Sequence, residues 1–410
     1  MIASAEKPLK NKTLSVPLNE NTFGDEEIYA LIELLKAGHL TMGAECFKFE
    51  EQFAQYLGVK NAIMVNSGSS ANLLAFFALV NPLIEGMSSK KRVVPGQEII
   101  VPALTWSTSV WPIIQIGCIP IFVDSNPATL QMDLNAVEAA INKNTAAICA
   151  PHILGNAIDL KRLKDIAEKN NLWLIEDTCE GLGVKNHDAY AGTVGDMGTY
   201  SFFFSHHITT IEGGMIITNN GDIADLLRSL RAHGWVRHMK NKDKFIQQHP
   251  EIDPRFLFVS SGFNVRPTDL NGRLGQIQLK KLASFNQRRT DIAARWNHAF
   301  SDLIQSRLLM PMQMTDHTES AWFGYPVLCQ DTATRDAFQT HLENNHIETR
   351  PIICGNLQRQ PAFKHYAHKV HGQLAGADKV MDTGLYWASH PVMNEAQIQY
   401  VINVVKDFFK

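Results

Sequence analysis

The amino-acid sequence predicts an α/β fold built on a mostly parallel β-sheet with helices packed on both of its faces. Two observations support this prediction. Short apolar runs of strand length alternate with amphipathic stretches of helical period between residues 61 and 231, and strands joined by helices become parallel neighbours that are buried on both sides. The chain also has 410 residues, 45% of them hydrophobic, which is enough for a large core.

The elements follow in a regular order along the chain. The first are two helices between Asp25 and Leu57, interrupted at Gly38–Gly43. Hydrophobic periodicity then predicts seven strands, at Asn61–Val65, Glu98–Val101, Pro120–Val123, Ala146–Ala150, Trp173–Glu176, Thr199–Phe204 and Gly214–Thr218. It predicts helices around them, at Ser69–Val80, Ser107–Gly117, Leu134–Ala140, Leu160–Asn170 and Ile223–Arg231.

The rest of the chain is predicted to build a smaller α+β domain. The stretch Met239–Phe263 is polar, and we expect an irregular excursion over the surface. A long helix should run from Thr268 to about residue 300, with a break or kink near Ser284, and Trp322–Leu328 should be a strand. The resulting division is an N-terminal extension (1–24), a large domain (25–290) and a small C-terminal domain (291–410).

Composition excludes several classes of protein. Lys and Arg total 38 against 41 Asp and Glu, a net charge of -3, so nothing favours nucleic acid or an anionic membrane as a partner. No signal peptide and no long apolar run is present, which indicates a cytoplasmic protein. The six cysteines are scattered without a CxxC pair and no HExxH motif occurs, so we expect reduced thiols and no metal site.

The first motif with chemical meaning is Asn66–Asn72, which reads NSGSSAN and lies between a predicted strand and a predicted helix. Glycine allows backbone to approach a ligand closely, and a helix N-terminus offers free N–H groups and a positive dipole end to a phosphate. An ordinary capped strand–helix turn would have the same sequence, so this motif alone leaves both interpretations open.

The second motif is the acidic pair Glu176-Asp177 at the end of the strand WLIED. In open α/β sheets, ligands bind at the carboxyl ends of the strands. A carboxylate there can keep a pyridine nitrogen protonated, so that the ring accepts electrons. A solvated carboxylate at a strand end is the alternative.

The third motif, residues 198–215, reads GTYSFFFSHHITTIEGGM: an apolar strand, a cluster of hydroxyl and histidine side chains, and an EGG turn. Taken together, the three motifs resemble the DegT/DnrJ/StrS family of sugar-nucleotide aminotransferases, which are fold type I PLP enzymes. The resemblance covers nearly the whole chain and includes PALTW at 102–106 and GFNVRPTD at 262–269.

This resemblance implies a mostly parallel, seven-stranded sheet and a site for pyridoxal or pyridoxamine 5'-phosphate (PLP or PMP). The implied cofactor-binding residues are Gly68, Ser69 and Ser201 at the phosphate, Trp106 stacked on the ring, Asp177 at the ring nitrogen, Glu180 near O3′, and Asn264 at the phosphate of the neighbouring subunit. The last of these implies a homodimer with shared active sites. From the residues alone, Trp106 could instead pack in the core and Glu180 could be a carboxylate at a helix start.

The sequence departs from the family at one position, because His206 stands where typical members have the lysine that forms a Schiff base with the cofactor. No lysine occurs between Lys185 and Lys240. Imidazole does not form a stable Schiff base, but it can move protons near neutral pH. The replacement resembles the NDP-4-keto-6-deoxyhexose 3-dehydratases, and it implies a non-covalently bound PMP with His206 as the catalytic acid and base.

The same resemblance implies a nucleotide-linked 4-keto-6-deoxyhexose as substrate and L-glutamate as the donor that regenerates PMP. CDP-sugar members of the subgroup carry a cysteine cluster for an iron–sulfur centre, whereas residues 232–264 contain no cysteine, which favours glutamate. Three alternatives stay open: a sugar aminotransferase without a covalent anchor, a non-catalytic regulatory or assembly protein, and a plain core position for His206. We expect His207 to be structural and Arg350 to be a surface residue.

Overall fold

Fifteen strands and thirteen α-helices make up the described part of the chain. The structure is a computed structural model and describes residues 14–410, so the expected N-terminal extension at 1–24 lies partly outside this range. The strands are β1 Asn61–Val65, β2 Glu98–Pro102, β3 Ile119–Val123, β4 Thr145–Pro151, β5 Trp173–Asp177, β6 Lys185–Asn186, β7 Ala189–Tyr190, β8 Met197–Ser201, β9 Gly214–Thr218, β10 Met310–Pro311, β11 Thr318–Glu319, β12 Gly324–Leu328, β13 Thr349–Arg350, β14 Lys369–Val370 and β15 Gly384–Ala388. The helices are α1 Asp25–Ala37, α2 Ala44–Leu57, α3 Gly68–Val80, α4 Trp111–Gln115, α5 Leu134–Ala140, α6 Leu160–Lys169, α7 Gly221–Arg231, α8 Lys242–Gln248, α9 Asp269–Ala299, α10 Ser301–Gln305, α11 Thr332–Asn344, α12 Ala375–Thr383 and α13 Glu395–Phe408.

The central sheet has eight strands in the order β1-β9-β8-β5-β4-β2-β3-β14. Only β9 runs antiparallel to its neighbours, β1 and β8, and the other pairs are parallel. All seven strands expected from the sequence are present. The eighth, β14, is a two-residue strand from the C-terminal segment that pairs with β3, and it is too short to leave a periodic signal.

Both faces of the sheet are covered, as predicted. Along β2, Ile99 and Val101 pack into one hydrophobic cluster with α3, while Ile100 packs into another with α5 and α6. This alternation follows from the two-residue period of a strand. A third cluster joins α2 to the β1–β9–β8 end of the sheet. The sheet is therefore a platform that is buried on both faces.

The smaller sheet has the order β10-β12-β15-β13 and is antiparallel throughout. Helices α11, α12 and α13 pack around it, which matches the α+β character expected for this segment. A third sheet, β11-β6-β7, joins a hairpin after β5 to the strand at Thr318–Glu319. Within residues 14–410, no helix combines the length and apolar character needed to cross a bilayer.

Three expectations about local structure were wrong. The break near Ser284 is absent, since α9 is one continuous helix that runs through residues 284 and 290. The Ser284 hydroxyl donates to the Lys281 carbonyl within it. The helix expected at Ser107–Gly117 is a 3-10 turn followed by the short α4, whose second residue is Pro112. Proline has no N–H group to bond to the preceding turn, so a helix cannot run through this position from residue 107. The polar excursion contains α8.

Candidate active site

The strands β1, β2, β4, β5 and β8 all end at the same edge of the central sheet, because they share one direction. Ligands bind at this edge in open α/β folds. A cleft of about 390 Å³ lies there. Its lining includes most of the site residues expected from the sequence: Gly68, Ser69, Trp106, Asp177, Glu180, Ser201 and His206.

The NSGSSAN segment forms the N-terminus of α3. Ser67 is the N-cap, and its hydroxyl oxygen accepts from the Ser70 N–H at 3.1 Å. Within residues 14–410, the N–H groups of Gly68 and Ser69 donate to no protein acceptor. They lie at the positive end of a 13-residue helix, so this turn is suited to bind an anionic group.

Gly68 allows β8 to approach this turn. A Cβ atom at Gly68 would lie 2.5 Å from the Cβ of Ser201 and 2.9 Å from the Sγ of Cys179. Real side chains do not pack at such distances, so any larger residue would separate the helix N-terminus from Ser201. The close approach brings a serine hydroxyl beside the two free N–H groups.

Asp177 is the last residue of β5 and is held by three donors. Its Oδ2 accepts from Asn72 Nδ2 at 2.7 Å and from Ser109 Oγ at 2.7 Å, and its Oδ1 accepts from the Cys179 N–H at 3.2 Å. The side chain is 6% exposed. Because all three partners are hydrogen-bond donors, the carboxylate is fixed in position at the base of the cleft.

The orientation of Asn72 is itself fixed by a residue of β8. Thr199 Oγ1 donates to Asn72 Oδ1 at 2.6 Å, so the amide nitrogen must face Asp177. We did not single out Asn72 in this role from the sequence, nor Thr199 or Ser109. The available signal was a polar residue inside an otherwise apolar helix, because such a residue needs a buried partner.

Trp106 follows β2 and borders the cleft with 55% of its surface exposed. The alternative of simple core packing is therefore wrong. The indole presents an apolar face at the mouth of the cleft, where a flat aromatic ligand can stack.

Glu180 lies in a turn after β5, and no helix begins there, so the alternative of a carboxylate at a helix start is wrong. Its Oε2 accepts from the Leu154 N–H at 3.1 Å. Burial raises the pKa of Glu180 to about 8, with a smaller contribution from the Asp177 charge. A carboxyl group with this pKa is mostly protonated at neutral pH, so it can donate a hydrogen bond as well as accept one.

Glu180→Gln is expected to make the ligand-free protein more stable at high pH. The folded pKa of about 8 lies above the unfolded value of 4.5, so the contribution of Glu180 to stability is lost as pH rises through this range. At about pH 9 the variant should exceed the parent in unfolding free energy by at least ~1.4 kcal/mol, and near pH 5 the difference should be small. Urea unfolding at both pH values measures this.

The control is Glu395→Gln, which should lower the unfolding free energy at high pH instead of raising it. Hydrogen bonds from Arg295 and Arg288 lower the pKa of Glu395, so the ionised carboxylate stabilises the fold above its unfolded pKa. A Glu180→Gln variant with the same pH dependence as the parent would contradict the raised pKa.

His206 lies in the cleft in a partly exposed turn after β8. Its ring meets Phe203 and Phe323 edge to face, with centroids 5.8 Å and 5.1 Å away. The Nδ1 atom is buried and has no hydrogen-bond partner within the described residues. Burial, together with the Arg289 charge, lowers the pKa of His206 to about 3. The imidazole is therefore neutral at physiological pH.

His207 is structural, as expected. It is 1% exposed, and its Nε2 contacts the Ala321 carbonyl oxygen at 2.6 Å. Arg350, also as expected, is an exposed residue, and it pairs with Glu348.

Asn264 lies outside the cleft of its own chain. It is exposed, and its Oδ1 accepts from Arg266 Nε at 2.9 Å. The single chain therefore brings seven of the eight expected site residues together, and the eighth is on the outer surface.

The cleft also contains residues that we did not predict. Phe323 precedes β12 and Tyr386 lies in β15, so the smaller sheet supplies one wall. His152 follows β4, where its Nδ1 accepts from the Ile158 N–H at 3.3 Å and its Nε2 donates to Glu176 at 3.0 Å. These two contacts fix the orientation of the His152 ring at the wall of the cleft.

Known proteins resemble the chain over nearly its whole length. The model of the DegT/DnrJ/EryC1/StrS aminotransferase family matches residues 21–406. A GDP-4-keto-6-deoxy-D-mannose 3-dehydratase from Yersinia pseudotuberculosis is 36% identical over 96% of this chain and 98% of its own.

Two solved structures extend the similarity to the fold. The E. coli GDP-4-keto-6-deoxy-D-mannose-3-dehydratase with bound hydrated PLP has a TM-score of 0.87 and 35% identity over 96% of this chain and 100% of its own. A GDP-4-keto-6-deoxymannose-3-dehydratase with a trapped PLP-glutamate geminal diamine has a TM-score of 0.85 and 34% identity over 95% and 100% of the two chains. The chain belongs to the DegT/DnrJ/EryC1/StrS aminotransferase family.

Proposed function

We propose that the chain is a PMP-dependent 3-dehydratase that removes the C3 hydroxyl of an NDP-4-keto-6-deoxyhexose. The observation that carries this proposal is His206: a neutral imidazole with an unpartnered Nδ1 stands in the cleft at the position where the family resemblance expects a lysine. Because no lysine can form a Schiff base with the cofactor here, the cofactor can bind non-covalently as PMP. Its amine then stays free to react with the substrate.

The residues of the cleft fit such a cofactor. Gly68, Ser69 and Ser201 would hold the phosphate, because two free N–H groups and a hydroxyl converge at the start of α3. Asp177 would hold the ring nitrogen and Trp106 would stack on the ring. When bound, PMP supplies a primary amine for the substrate ketone and a ring that stores electrons.

The proton transfers then belong to His206. Its neutral ring would accept a proton from the C4′ carbon of the bound cofactor and return it to the departing C3 hydroxyl, which would leave as water. The Asp177 carboxylate would stay beside the ring nitrogen, held by Asn72 and Ser109. Glu180, mostly protonated at neutral pH, would donate a hydrogen bond near O3′.

The remaining partners follow from the same resemblance. L-glutamate regenerates PMP, which agrees with the absence of cysteine from residues 232–264. We place the reaction in the cytoplasm, in deoxysugar synthesis for a polysaccharide such as a lipopolysaccharide O-antigen. A homodimer with shared active sites would give Asn264 a role, because this exposed residue lies outside the cleft of its own chain and would reach the phosphate in the other subunit.

Gly68→Ala is expected to weaken cofactor binding by at least about tenfold, because a Cβ atom would push the α3 N-terminus away from Ser201. Titration of PLP absorbance gives the dissociation constant. The matched control is Gly221→Ala at the start of α7, where a Cβ would meet nothing within 4 Å. Unchanged affinity in Gly68→Ala would contradict the phosphate assignment.

The proposed function is tested by incubating the purified protein with PMP, L-glutamate and GDP-4-keto-6-deoxymannose. We expect release of ammonia and a 4-keto-3,6-dideoxy sugar. Absorbance near roughly 330 nm should interconvert with a free-aldehyde band, without a lysine adduct that borohydride traps. An amino sugar as the product would favour the aminotransferase alternative, and no cofactor absorbance under any condition would favour a non-catalytic protein.

A further inference from the structure

Arg289, in the middle of α9, is a buried cation without an anionic partner. It is 3% exposed, and in the part of the chain that the structure describes no carboxylate pairs with it. Its Nη1 donates to the carbonyls of Phe323 at 2.9 Å, Trp322 at 3.3 Å and Ser389 at 3.5 Å, and its Nε has no partner. Burying an unpaired guanidinium is costly, so a cation here calls for an explanation other than stability.

The carbonyls that Arg289 binds belong to the segment that contacts the cleft histidines. Ala321 accepts from His207, and the Phe323 ring packs against His206 at 5.1 Å and against His207 at 5.6 Å. Residues 321–323 are thus fixed from one side by α9 and support both imidazoles from the other. A shift of this segment would move the ring of His206 directly.

The charge of Arg289 also acts on the surrounding imidazoles. Burial is the largest cause of the lowered pKa of three histidines, and the Arg289 charge is the next. The pKa falls to about 3 for His206 and to about 4 for His390, and the pKa of His207 is also lowered. His207 adjoins His206 in the chain. Six other titratable side chains line the same cleft as His206: His152, Asp177, Cys179, Glu180, Glu212 and Tyr386.

We propose that Arg289 is a positioning residue for proton transfer: it anchors residues 321–323 against His206 and places a buried cation near that imidazole. This inference rests on the role of His206 in the proposed function. The nearby cation favours release of the proton from the protonated ring to the departing hydroxyl. For the opposite transfer, Arg289 acts through position: the segment that it anchors holds the ring of His206 in place.

The test compares Arg289→Met with Arg289→Lys in the full chain. NMR titration of labelled histidine gives the His206 pKa, with the signal assigned by its loss in His206→Asn. This readout needs neither cofactor nor turnover, so the inference can fail separately from the proposed function. In parallel, kcat for dehydration is measured over pH in the PMP-loaded enzyme.

In Arg289→Met we expect the His206 pKa to rise towards its ordinary value, the acid limb of the kcat profile to move with it, and kcat to fall at least about tenfold. Arg289→Lys keeps the charge, so its His206 pKa should stay low. If both variants keep the pKa and pH profile of the parent, Arg289 has a structural role only and the proposal is overturned.

A second variant keeps the proposal testable if Arg289→Met does not fold. Phe323→Leu removes the aromatic contact with His206 and leaves the cation in place. We expect kcat to fall at least about fivefold, with KM nearly unchanged and the His206 pKa still low. An unchanged kcat in this variant would overturn the claim that the segment positions His206.

Discussion

His206→Asn is expected to lower kcat for dehydration by about 10³-fold or more while leaving cofactor affinity within about threefold of the parent. Asparagine occupies a similar volume and keeps hydrogen-bonding groups, but it neither accepts nor releases a proton near neutral pH. The ring of His206 contacts Phe203 and Phe323 rather than the residues assigned to the cofactor phosphate. Its loss should therefore affect the chemistry and spare the binding.

The measurement combines steady-state turnover with an absorbance titration of PMP and PLP. His365→Asn is the matched control, because His365 is exposed and lies outside the cleft, and it should retain the parent activity. Turnover by His206→Asn at more than about a tenth of the parent rate would remove His206 from the proton transfers and favour another group in the cleft.

The part of the site that could be predicted from the sequence is the part fixed by strand ends. Once apolar runs predict parallel strands, the residues that follow them must meet at one edge of the sheet. Gly68, Trp106, Asp177, Ser201 and His206 all lie within a few residues of such an end, and the structure brings them into one cleft. The local sequence was therefore enough to predict that these residues lie at that edge.

The part that could not be predicted depends on contacts between distant segments. Asn72 and Thr199 are 127 residues apart, and their hydrogen bond exists only because α3 packs on β8. Arg289 and Phe323 meet because a continuous α9 passes beneath the smaller sheet. Periodicity describes which face of an element is buried, but it does not specify which element covers that face.

Local signals also misled at two positions for physical reasons. Glu180 follows a strand in a Cys-Glu-Gly sequence that forms a turn, and burial raises the pKa of its carboxyl group. Ser284 lies in a helix, where its hydroxyl bonds to a backbone carbonyl of the preceding turn. Such a bond is compatible with a straight helix as well as with a bent one.

Asp177→Asn is also expected to be strongly damaging, but with a different signature from the loss of His206. The substitution keeps the shape and removes the charge that would hold the ring nitrogen protonated, so both the dehydration and the regeneration by glutamate should slow by at least about 10²-fold. Cofactor affinity should also fall, because an ion pair with the ring is lost. His206→Asn, in contrast, should spare affinity.

Stability measurements separate this electrostatic effect from structural damage. In Asp177→Asn, the amide oxygen can still accept from the Asn72 and Ser109 donors, whose hydrogen bonds in the parent converge on a single carboxylate oxygen. The free energy of unfolding by urea should therefore change by less than about 2 kcal/mol. Asp159→Asn is the control, since Asp159 caps α6 far from the cleft and asparagine caps equally well. Normal turnover in Asp177→Asn would show that the cleft carboxylate does not act on the ring. The assigned orientation of the cofactor would then be wrong, because the roles of Trp106, Ser201 and Glu180 assume that the ring nitrogen faces Asp177.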